Sequence, residues 1–289
     1  MTEASPLRVL ILGPGLLGGS LALALQDRAG FEVDLWGRNP RTVEEARSLG
    51  IGRATDDLAS VVGHADMVIL CTPVGAMVPV LRQVLDVRGE EKLIISDVGS
   101  VKRMPATLIR PLISGTGHRF IGGHPMAGSE RTGVSAARAD LFKGATTVLT
   151  PHPSESALDI SLLQSLWEAA GAVCHFMTAD EHDHAVGRLS HFPHLMASFC
   201  AATALKTDEN SFVSGGGLRD TSRVAAGDPD MWAEILMENA DSVTGLLEET
   251  IAEMRDVLAS LQRKDHDHVR RFLKRAKAAR DQLDAESTS

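Results

Sequence analysis

The sequence has few cysteines, and none of them suggests a disulfide framework. Cys71, Cys174 and Cys200 lie far apart among apolar residues and form no CxxC pair. This pattern is typical of reduced core thiols in a cytoplasmic protein. Residues 1–13 also lack the charged n-region and cleavage site of a secretory leader. The sequence therefore predicts a cytoplasmic location.

Positive charge and long apolar runs are also scarce, and each shortage excludes a class of partner. The 29 Lys and Arg residues are outnumbered by 38 Asp and Glu residues, which gives a formal net charge of -9. Nucleic acid and anionic membrane surfaces attract positive fields, so neither is expected to be the main partner. No apolar run approaches the ~20 residues that span a bilayer. A chain of 289 residues is comfortable for two domains, and a small-molecule site is the natural expectation.

A glycine turn near the start of the chain predicts dinucleotide binding. An apolar run at residues 8–12 is typical of a buried strand, and a helical pattern begins at residue 19. The turn between them reads Gly13-Pro14-Gly15-Leu16-Leu17-Gly18. In such a unit the first glycine allows the tight turn, the second lets the backbone approach a pyrophosphate, and the third lets helix and strand pack closely. We therefore expect a dinucleotide, rather than an accidental turn, at Gly13, Gly15, Leu16, Leu17 and Gly18.

The end of the second predicted strand favours NADP over NAD. An acid that accepts a hydrogen bond from the adenosine ribose would stand about 20 residues after the glycines, at the end of the strand predicted for residues 31–36. That position is Gly37, and Arg38 follows it. A cation suits the 2′-phosphate of NADP, whereas Asp34 lies too early in the strand to reach the ribose. The alternative is that Arg38 is only a solvated loop charge.

Strand-like and helical runs alternate after the glycine turn, with strands at residues 67–71 and 93–96 and helices at 41–49 and 75–85. This alternation indicates a parallel sheet covered by helices. Ligands of such sheets lie beyond the carboxyl ends of the strands, where Thr72, Pro73 and Ser100 stand. Thr72 and Pro73 are expected near the cofactor. Ser100 could cap the following helix or turn its hydroxyl toward a substrate.

Residues 122–130, which read GGHPMAGSE, are the main candidate for catalysis. This composition suits neither a helix nor a strand, so we expect a loop whose backbone approaches something closely. The loop follows a predicted strand end, and its glycines would let the ring of His124 face an open cleft. We therefore predict that His124 is a catalytic base rather than a surface histidine in an ordinary turn. Glu130 could orient that histidine, bind a polar substrate group or cap a helix.

From residue 179 onward the pattern is helical, which predicts a second, all-helical domain. Its first helix carries His182 and His184, but these point to different faces and no HExxH spacing exists, so no metal site is expected. Ser190 and His194 are four residues apart and share a face, so both could point into one cleft. The alternative is a helix that packs its apolar residues and carries incidental polar ones.

Two arginines follow a glycine hinge in the second half of the chain. Arg219 and Arg223 could each hold a substrate carboxylate through a two-point contact. Either could instead be tied to Asp220 or Asp228.

The remaining residues predict long amphipathic helices. Asp228 and Pro229 form a good helix start, and we expect one long helix from there through Leu261. Residues 265–283 predict a solvated amphipathic helix rather than a nucleic-acid site. Long apolar-striped helices in a small domain usually need a partner, and a homodimer is the simplest one.

Five segments of the chain match one known family, in the order in which that family carries them. The segments are GPGLLGGSLALAL, DVGSVK, GGHPMAGSE, EHDHAVGRLSHFPH and GLRDTSRVAAGDPDMW. Through them the chain resembles the prephenate and arogenate dehydrogenases, the TyrA family of tyrosine biosynthesis. The resemblance implies an α/β fold: a Rossmann-like nucleotide-binding domain, residues 1–178, followed by an all-α dimerisation domain, residues 179–289. It also implies an active site between the two.

The resemblance assigns roles by position. It implies that His124 is the catalytic histidine and that Ser100 shares the substrate hydroxyl with it. The implied substrate-binding residues are Ser190, His194 and Arg223, with Arg219 and Glu130 as further candidates. The sequence departs from the family at Gly37, where members that use NAD carry an acid. This departure favours NADP.

The implied reaction is the NAD(P)-dependent oxidative decarboxylation of prephenate to 4-hydroxyphenylpyruvate, which needs no metal. The same motifs allow arogenate as the substrate. A β-hydroxyacid-type dehydrogenase is a further alternative, but that class relies on a lysine in its helical domain. A catalytically inactive dinucleotide-sensing module is an alternative from a different class. It would bind the cofactor without any turnover of prephenate.

Overall fold

The computed structural model describes residues 5–51, 53–129, 131–206 and 213–286. The chain divides into two compact units, residues 1–239 and residues 240–289. The domain boundary expected after residue 178 rests on sequence pattern, not on this division, and stays a prediction.

The larger unit is built on a parallel sheet whose strand order is β3-β2-β1-β4-β5-β6. The strands are β1 (Leu7–Leu12), β2 (Phe31–Trp36), β3 (Ala54–Thr55), β4 (Met67–Leu70), β5 (Ile94–Asp97) and β6 (Arg119–Phe120). The four strand runs expected between residues 8 and 96 are present, each with ends shifted by at most one residue. The central strands are apolar because both of their faces are covered: β4 is a fully buried apolar run, and β1 is buried from Val9 to Leu12.

Helices cover both faces of this sheet and continue beyond it. They are α1 (Leu16–Leu25), α2 (Pro40–Ser48), α3 (Leu58–Val62), α4 (Val74–Arg88), α5 (Arg103–Ile109), α6 (Ala157–Ala169), α7 (Ala179–Val186), α8 (Phe192–Ala204), α9 (Gly216–Ser222) and α10 (Pro229–Glu238). Successive residues of a strand face opposite sides. Ile11 of β1 therefore joins a core with Leu21 and Trp167, whereas its neighbour Leu10 joins a separate core with Met77.

A second sheet contains the first part of the GGHPMAGSE segment, which we call the histidine motif (residues 122–130), and it corrects the loop expected there. Its strands are β7 (Gly122–Pro125), β8 (Thr146–Thr150) and β9 (Val173–Phe176). β7 is antiparallel to β8, with His124 opposite Val148, and β8 is parallel to β9. His124 therefore lies on a buried strand rather than in a loop. Glycine is a poor strand former, but the backbone pairing with β8 outweighs that preference.

The long helix expected from Asp228 through Leu261 is also wrong. α10 starts where predicted, because the Asp228 side chain accepts a hydrogen bond from the Met231 amide at 2.8 Å. It ends at Glu238, and α11 (Ala240–Gln262) begins after Asn239, whose backbone angles are φ -116° and ψ 26°. The side chain of Asn239 is buried and hydrogen-bonded within the larger unit, which explains the interruption.

The smaller unit consists of α11 and α12 (His266–Glu286), which confirms the helix expected over residues 265–283. Lys264 turns the chain between them in the left-handed region, at φ 57°. Along the described ranges, no helix is both long enough and apolar enough to cross a membrane.

Candidate active site

The glycine turn at the carboxyl end of β1 is shaped to receive a negatively charged group. Gly13 has φ +117°, a region that favours glycine, and a Cβ there would lie 2.5 Å from the carbonyl oxygen of Cys71. Gly15, in contrast, faces open space, with no atom within 4 Å of the position that a Cβ would take. No side chain of the described residues caps α1, so its first amides can bind a ligand.

Thr72 and Pro73 lie at the same edge of the sheet, at the end of neighbouring β4. Pro73 is the N-cap residue of α4. The hydroxyl of Thr72 is buried and has no hydrogen-bond partner among the described residues. Buried hydroxyls normally have a partner. An unpaired hydroxyl beside an uncapped helix therefore fits a site that a dinucleotide would complete.

Gly37 and Arg38 stand at the end of β2, as the sequence predicts. A Cβ on Gly37 would lie 2.5 Å from Cγ of Pro14 in the glycine turn, so packing excludes a side chain at this position. Arg38 is exposed. Asp34 lies within β2 and is bound to Arg53, whose Nε donates to Oδ1 at 2.7 Å.

His124 lies close to the carboxyl end of β5, on the same edge of the parallel sheet as the glycine turn. The amide of the preceding residue, Gly123, donates to Asp97 Oδ1 at 3.2 Å, and Asp97 is the last residue of β5. A Cβ on Gly123 would lie 2.8 Å from the backbone oxygen of Asp97. Glycine is thus required for this close approach, which sets the position of His124.

His124 is hydrogen-bonded to a second histidine, which is in turn bonded to a carboxylate. Its Nδ1 lies 2.8 Å from Nε2 of His182 on α7, and Nδ1 of His182 lies 2.8 Å from Oδ1 of Asp183. The two rings meet edge to face, with centroids 5.0 Å apart. All three side chains are buried. Of these two histidines, sequence patterns predict a catalytic role for His124 and give no such role to His182.

Asp183 also caps helix α5. Its Oδ1 accepts a hydrogen bond from the Lys102 amide at 2.7 Å, and its Oδ2 accepts one from the Arg103 amide at 2.9 Å. Burial raises the pKa of Asp183, but the hydrogen bonds from His182 and the two amides outweigh it and leave the pKa lowered. The N-cap residue of α5 is Lys102, so the alternative in which Ser100 caps this helix is wrong.

A buried lysine lies beneath His124. The Lys102 ammonium is paired with Asp97 and donates to the carbonyl oxygen of Gly123 at 2.5 Å. Burial lowers the pKa of Lys102 although Asp97 opposes this shift. The pKa of His124 lies well below its ordinary value because of burial first and the charge of Lys102 second. His124 is therefore neutral near pH 7, the form in which an imidazole can accept a proton.

Ser190 lies in a π-helical turn, Gly187–His191, and His194 lies just after it on α8. Such turns occur frequently at functional sites. Ser190 is half-buried within the turn, and His194 is buried on α8. The His194 ring stacks on Trp232 with centroids 3.5 Å apart, and its Nδ1 has no hydrogen-bond partner among the residues described.

Asn239 connects this region to α5 and α7. Its Nδ2 donates to the carbonyl oxygen of Asp183 at 2.7 Å and lies 3.0 Å from Nδ1 of His191, while its Oδ1 accepts from Arg103 at 2.8 Å. Burial lowers the pKa of His191 to about 4. Sequence patterns gave no signal for Asn239, because all of its partners are distant in the chain.

Arg219 and Arg223 are exposed at the rim of this region. Arg219 lies on α9, and Arg223 begins a 3-10 turn, Arg223–Ala226, that packs against α8. A Cβ on Gly227, just after this turn, would lie 3.3 Å from Cε1 of His194. The turn therefore runs beside the helix that carries His194. Glu130, the remaining candidate, lies outside the described residues.

A metal site requires several ligating side chains that lie together. Among the described residues, no group of three or more His, Cys, Asp or Glu side chains is placed to hold a metal ion. The site offers a neutral, buried imidazole at the edge of the sheet that carries the glycine turn.

Comparison with known families covers almost the whole chain. Residues 21–176 match the family described as prephenate dehydrogenase, nucleotide-binding domain. Residues 178–275 match the family described as prephenate dehydrogenase, dimerization domain.

Individual relatives agree with these matches. The chain is 31% identical over 285 residues to a prephenate dehydrogenase of Lactococcus lactis, covering 96% of this chain and 77% of that protein. A crystal structure of A. aeolicus prephenate dehydrogenase with hydroxyphenyl propionate and NAD+ has a TM-score of 0.85 at 29% identity, covering 98% of this chain and 100% of the other. A Synechocystis arogenate dehydrogenase has a TM-score of 0.77 at 28% identity, covering 96% and 100%.

Proposed function

The chain belongs to the prephenate dehydrogenase family, and from this premise we propose that it catalyses the NAD(P)-dependent oxidative decarboxylation of prephenate to 4-hydroxyphenylpyruvate. The observation that carries the proposal is the buried, neutral His124 at the sheet edge that holds the glycine turn. A base at this edge can take a proton from a substrate that lies against a dinucleotide.

The residues of the chain fit each proton step of this reaction. His124 accepts the proton of the ring hydroxyl as the carbon that bears it loses a hydride. A bound nicotinamide dinucleotide supplies the hydride acceptor. Loss of the ring carboxylate as CO2 then leaves an aromatic phenolate, to which His124 can return the proton. Aromatisation supplies the driving force, so orientation and anion binding are the main tasks of the protein.

Substrate binding is assigned to the residues around His124. We assign Ser100 to hold the substrate hydroxyl in line with the imidazole. We assign Ser190, His194 and Arg223 to the substrate carboxylates and side chain, with Arg219 and Glu130 as further binding residues. The position of His194 on α8, beside the turn that begins at Arg223, supports this grouping.

Steady-state kinetics with both candidate substrates and both cofactors tests the function. Reduction of the nicotinamide that depends on prephenate supports it, whereas cofactor binding without turnover would show an inactive sensing module. Arogenate is the second candidate substrate, because the chain also resembles an arogenate dehydrogenase. A higher kcat/KM for arogenate than for prephenate would replace the first assignment with the second.

His124→Asn and Arg223→Ala test the division of roles. The first should lower kcat by roughly 10²–10⁴-fold, as expected for loss of a general base. The second should chiefly raise KM, because its contact holds substrate before and during the reaction. Reversal of the two effects would contradict the assignments.

For the cofactor, we propose a preference for NADP. The absence of an acid at Gly37 and the cation of Arg38 support it. Arg38→Ala should then lower kcat/KM for NADP and leave that for NAD nearly unchanged. A wild-type preference for NAD would overturn the proposal.

For the assembly, we propose a homodimer formed through the helical residues. The stripe of Ile251, Met254, Leu258 and Leu261 along α11 supports it, because these side chains are 39%, 52%, 56% and 59% exposed in the single chain. Leu258→Glu should shift the mass measured by light scattering from dimer to monomer. Asp256→Asn, on the opposite side of α11, should not. A monomeric wild-type protein would contradict the proposal.

Two further assignments follow from the sequence. We propose a domain boundary after residue 178, supported by the junction between the two family matches. We also propose a cytoplasmic location, supported by the three separate, free cysteines.

A further inference from the structure

Three buried side chains form a line that the proposed reaction does not by itself explain. The line runs from Asp183 through His182 to His124, with both hydrogen bonds at 2.8 Å. The reaction needs only the outer nitrogen of His124. A second histidine buried behind the first needs a physical account, because burying an imidazole costs free energy unless its nitrogens are hydrogen-bonded.

The proton positions along this line follow from the carboxylate. Asp183 accepts hydrogen bonds from the backbone amides of Lys102 and Arg103, which cannot act as acceptors, and its pKa is lowered. It is therefore ionised and can only accept hydrogen bonds. Nδ1 of His182, which lies beside its Oδ1, must carry the proton of that hydrogen bond.

The state of His182 then determines the state of His124. When neutral, His182 carries one proton, and with that proton on Nδ1 its Nε2 presents a lone pair to Nδ1 of His124. Nδ1 of His124 must in turn carry a proton and donate it. Nε2 of His124, the nitrogen that faces away from His182, is left with its lone pair.

We propose that His182 is a positioning residue that holds His124 in the tautomer with the proton on Nδ1, so that Nε2 is the base. The inference rests on the proposed function for its catalytic consequence, but the tautomer itself is a property of the free protein. Asp183 sets the tautomer of His182, and His182 transmits it to His124. The same hydrogen bond fixes the plane of the His124 ring.

The arrangement also assists the charged state that follows proton uptake. Once Nε2 has taken a proton, His124 is an imidazolium whose Nδ1–H still donates to His182. Burial and the Lys102 charge oppose that cation. The lone pair of His182, backed by the Asp183 carboxylate, opposes this penalty where the charge develops.

Nitrogen-15 NMR of the imidazole rings in the free protein tests the tautomer without any substrate. A His124→Asn sample identifies the His124 signals. We expect Nε2 of His124 to resonate downfield, as an unprotonated ring nitrogen does. We expect Nδ1 of His124 to resonate upfield of it, as a protonated ring nitrogen does. The opposite pattern would overturn the proposal, whether or not the protein oxidises prephenate.

Two substitutions at position 182 test the catalytic consequence. In His182→Gln, the amide oxygen can still accept from Nδ1 of His124, whereas in His182→Phe no acceptor remains. We expect His182→Phe to lower kcat by at least about 10²-fold with little change in KM, in the range of general-base effects. His182→Gln should recover most of that loss. The matched control is His184→Gln, an exposed residue of the same helix, which should retain wild-type kcat.

The outcomes separate the two hypotheses. If His182→Phe and His182→Gln lose kcat equally while both bind cofactor, the tautomer role is wrong and the proposed function stands. If wild-type protein fails to oxidise either substrate, the function is wrong and the NMR result alone decides the tautomer. If His182→Phe does not fold, the NMR spectra of wild type and His182→Gln still test the tautomer of His124. A wild-type His124 without a proton on Nδ1 would contradict the proposal.

Discussion

Asp183 accepts hydrogen bonds from Arg103 at two points, from the backbone amide at 2.9 Å and from Nε at 3.2 Å. A carboxylate of α7 thus caps the first turn of α5, 80 residues earlier in the chain. The negative charge also complements the positive end of the α5 dipole. The same carboxylate orients His182, so the helix cap and the catalytic histidine share one anchor.

Replacing Asp183 by Ala should therefore be strongly destabilising. The change leaves the amides of Lys102 and Arg103 and Nδ1 of His182 without their acceptor, and each such unsatisfied group costs about 1–3 kcal/mol. Urea unfolding measures it. Asp180→Ala is the matched control, because Asp180 is 86% exposed on the same helix and lies 3.9 Å from Arg103. Its effect should stay within about 1 kcal/mol, the usual range for a surface ion pair. Equal losses in the two variants would contradict the capping role.

Much of the fold could be predicted because its signals are local. The sequence predicts β2 at residues 31–36 and the strand is Phe31–Trp36, since apolar Phe31, Val33 and Leu35 alternate with polar residues. The glycine turn and the start of α10 at Asp228 are local patterns of the same kind. Each depends on residues only a few positions apart.

The parts that could not be predicted depend on distant partners. Asn239 interrupts a helix because its amide bonds to groups 56 and 48 residues away. His124 belongs to a strand because of its pairing with β8. His182 and Asp183 were visible as an EHDH cluster, but the sequence could not show that α7 would bring them to β7. Helix periodicity predicts which residues share a face of one helix, but not which other element that face contacts.

A pair of glycines in the histidine motif tests how tightly His124 is positioned. Gly123→Ala would place a Cβ 2.8 Å from the Asp97 backbone oxygen, and overpacking of this kind costs about 1–3 kcal/mol. Because a shift of about 1 Å in a catalytic group can cost 10²-fold in rate, kcat should fall along with the thermal midpoint. Gly128→Ala should change neither, since no atom lies within 4 Å of its Cβ position. An equal fall in kcat for both variants would contradict this account, because the loss would then not depend on the contact with Asp97.

The lowered pKa of His191 predicts how stability depends on pH. Burial lowers this pKa to about 4, so below its ordinary value of roughly 6.5 the unfolded chain binds a proton that the folded chain does not. The contribution of His191 to the free energy of unfolding should therefore rise with pH between about 4 and 6.5, by up to about 1.4 kcal/mol per unit, whereas Glu238, whose pKa burial raises to about 7, contributes in the opposite direction. His124 and His194 act in the same direction as His191, because their pKa values are also lowered.

Replacing His191 by Gln isolates its share of that slope. Gln can still accept a hydrogen bond from Asn239 but does not titrate. Urea unfolding at pH 5 and at pH 7 should show a smaller difference for this variant than for wild type. His184→Gln, which changes an exposed histidine, serves as the control and should keep the wild-type difference. A His191→Gln slope equal to the wild-type slope would contradict the prediction.

Contact between Pro14 and Gly37 makes cofactor preference depend on two positions together. Gly37→Asp supplies the acid that would bind a ribose hydroxyl, but its Cβ would lie 2.5 Å from Cγ of Pro14. The single variant should therefore lose stability by about 1–3 kcal/mol, as overpacked sites do, and bind both cofactors poorly. Pro14→Ala removes the clashing atoms, so the double variant should regain stability and shift kcat/KM toward NAD. Because the two residues touch, their effects should not add, and the coupling from a double-mutant cycle should exceed about 0.5 kcal/mol. Additive effects would show that the backbone moves to admit the acid and that Pro14 does not restrict position 37.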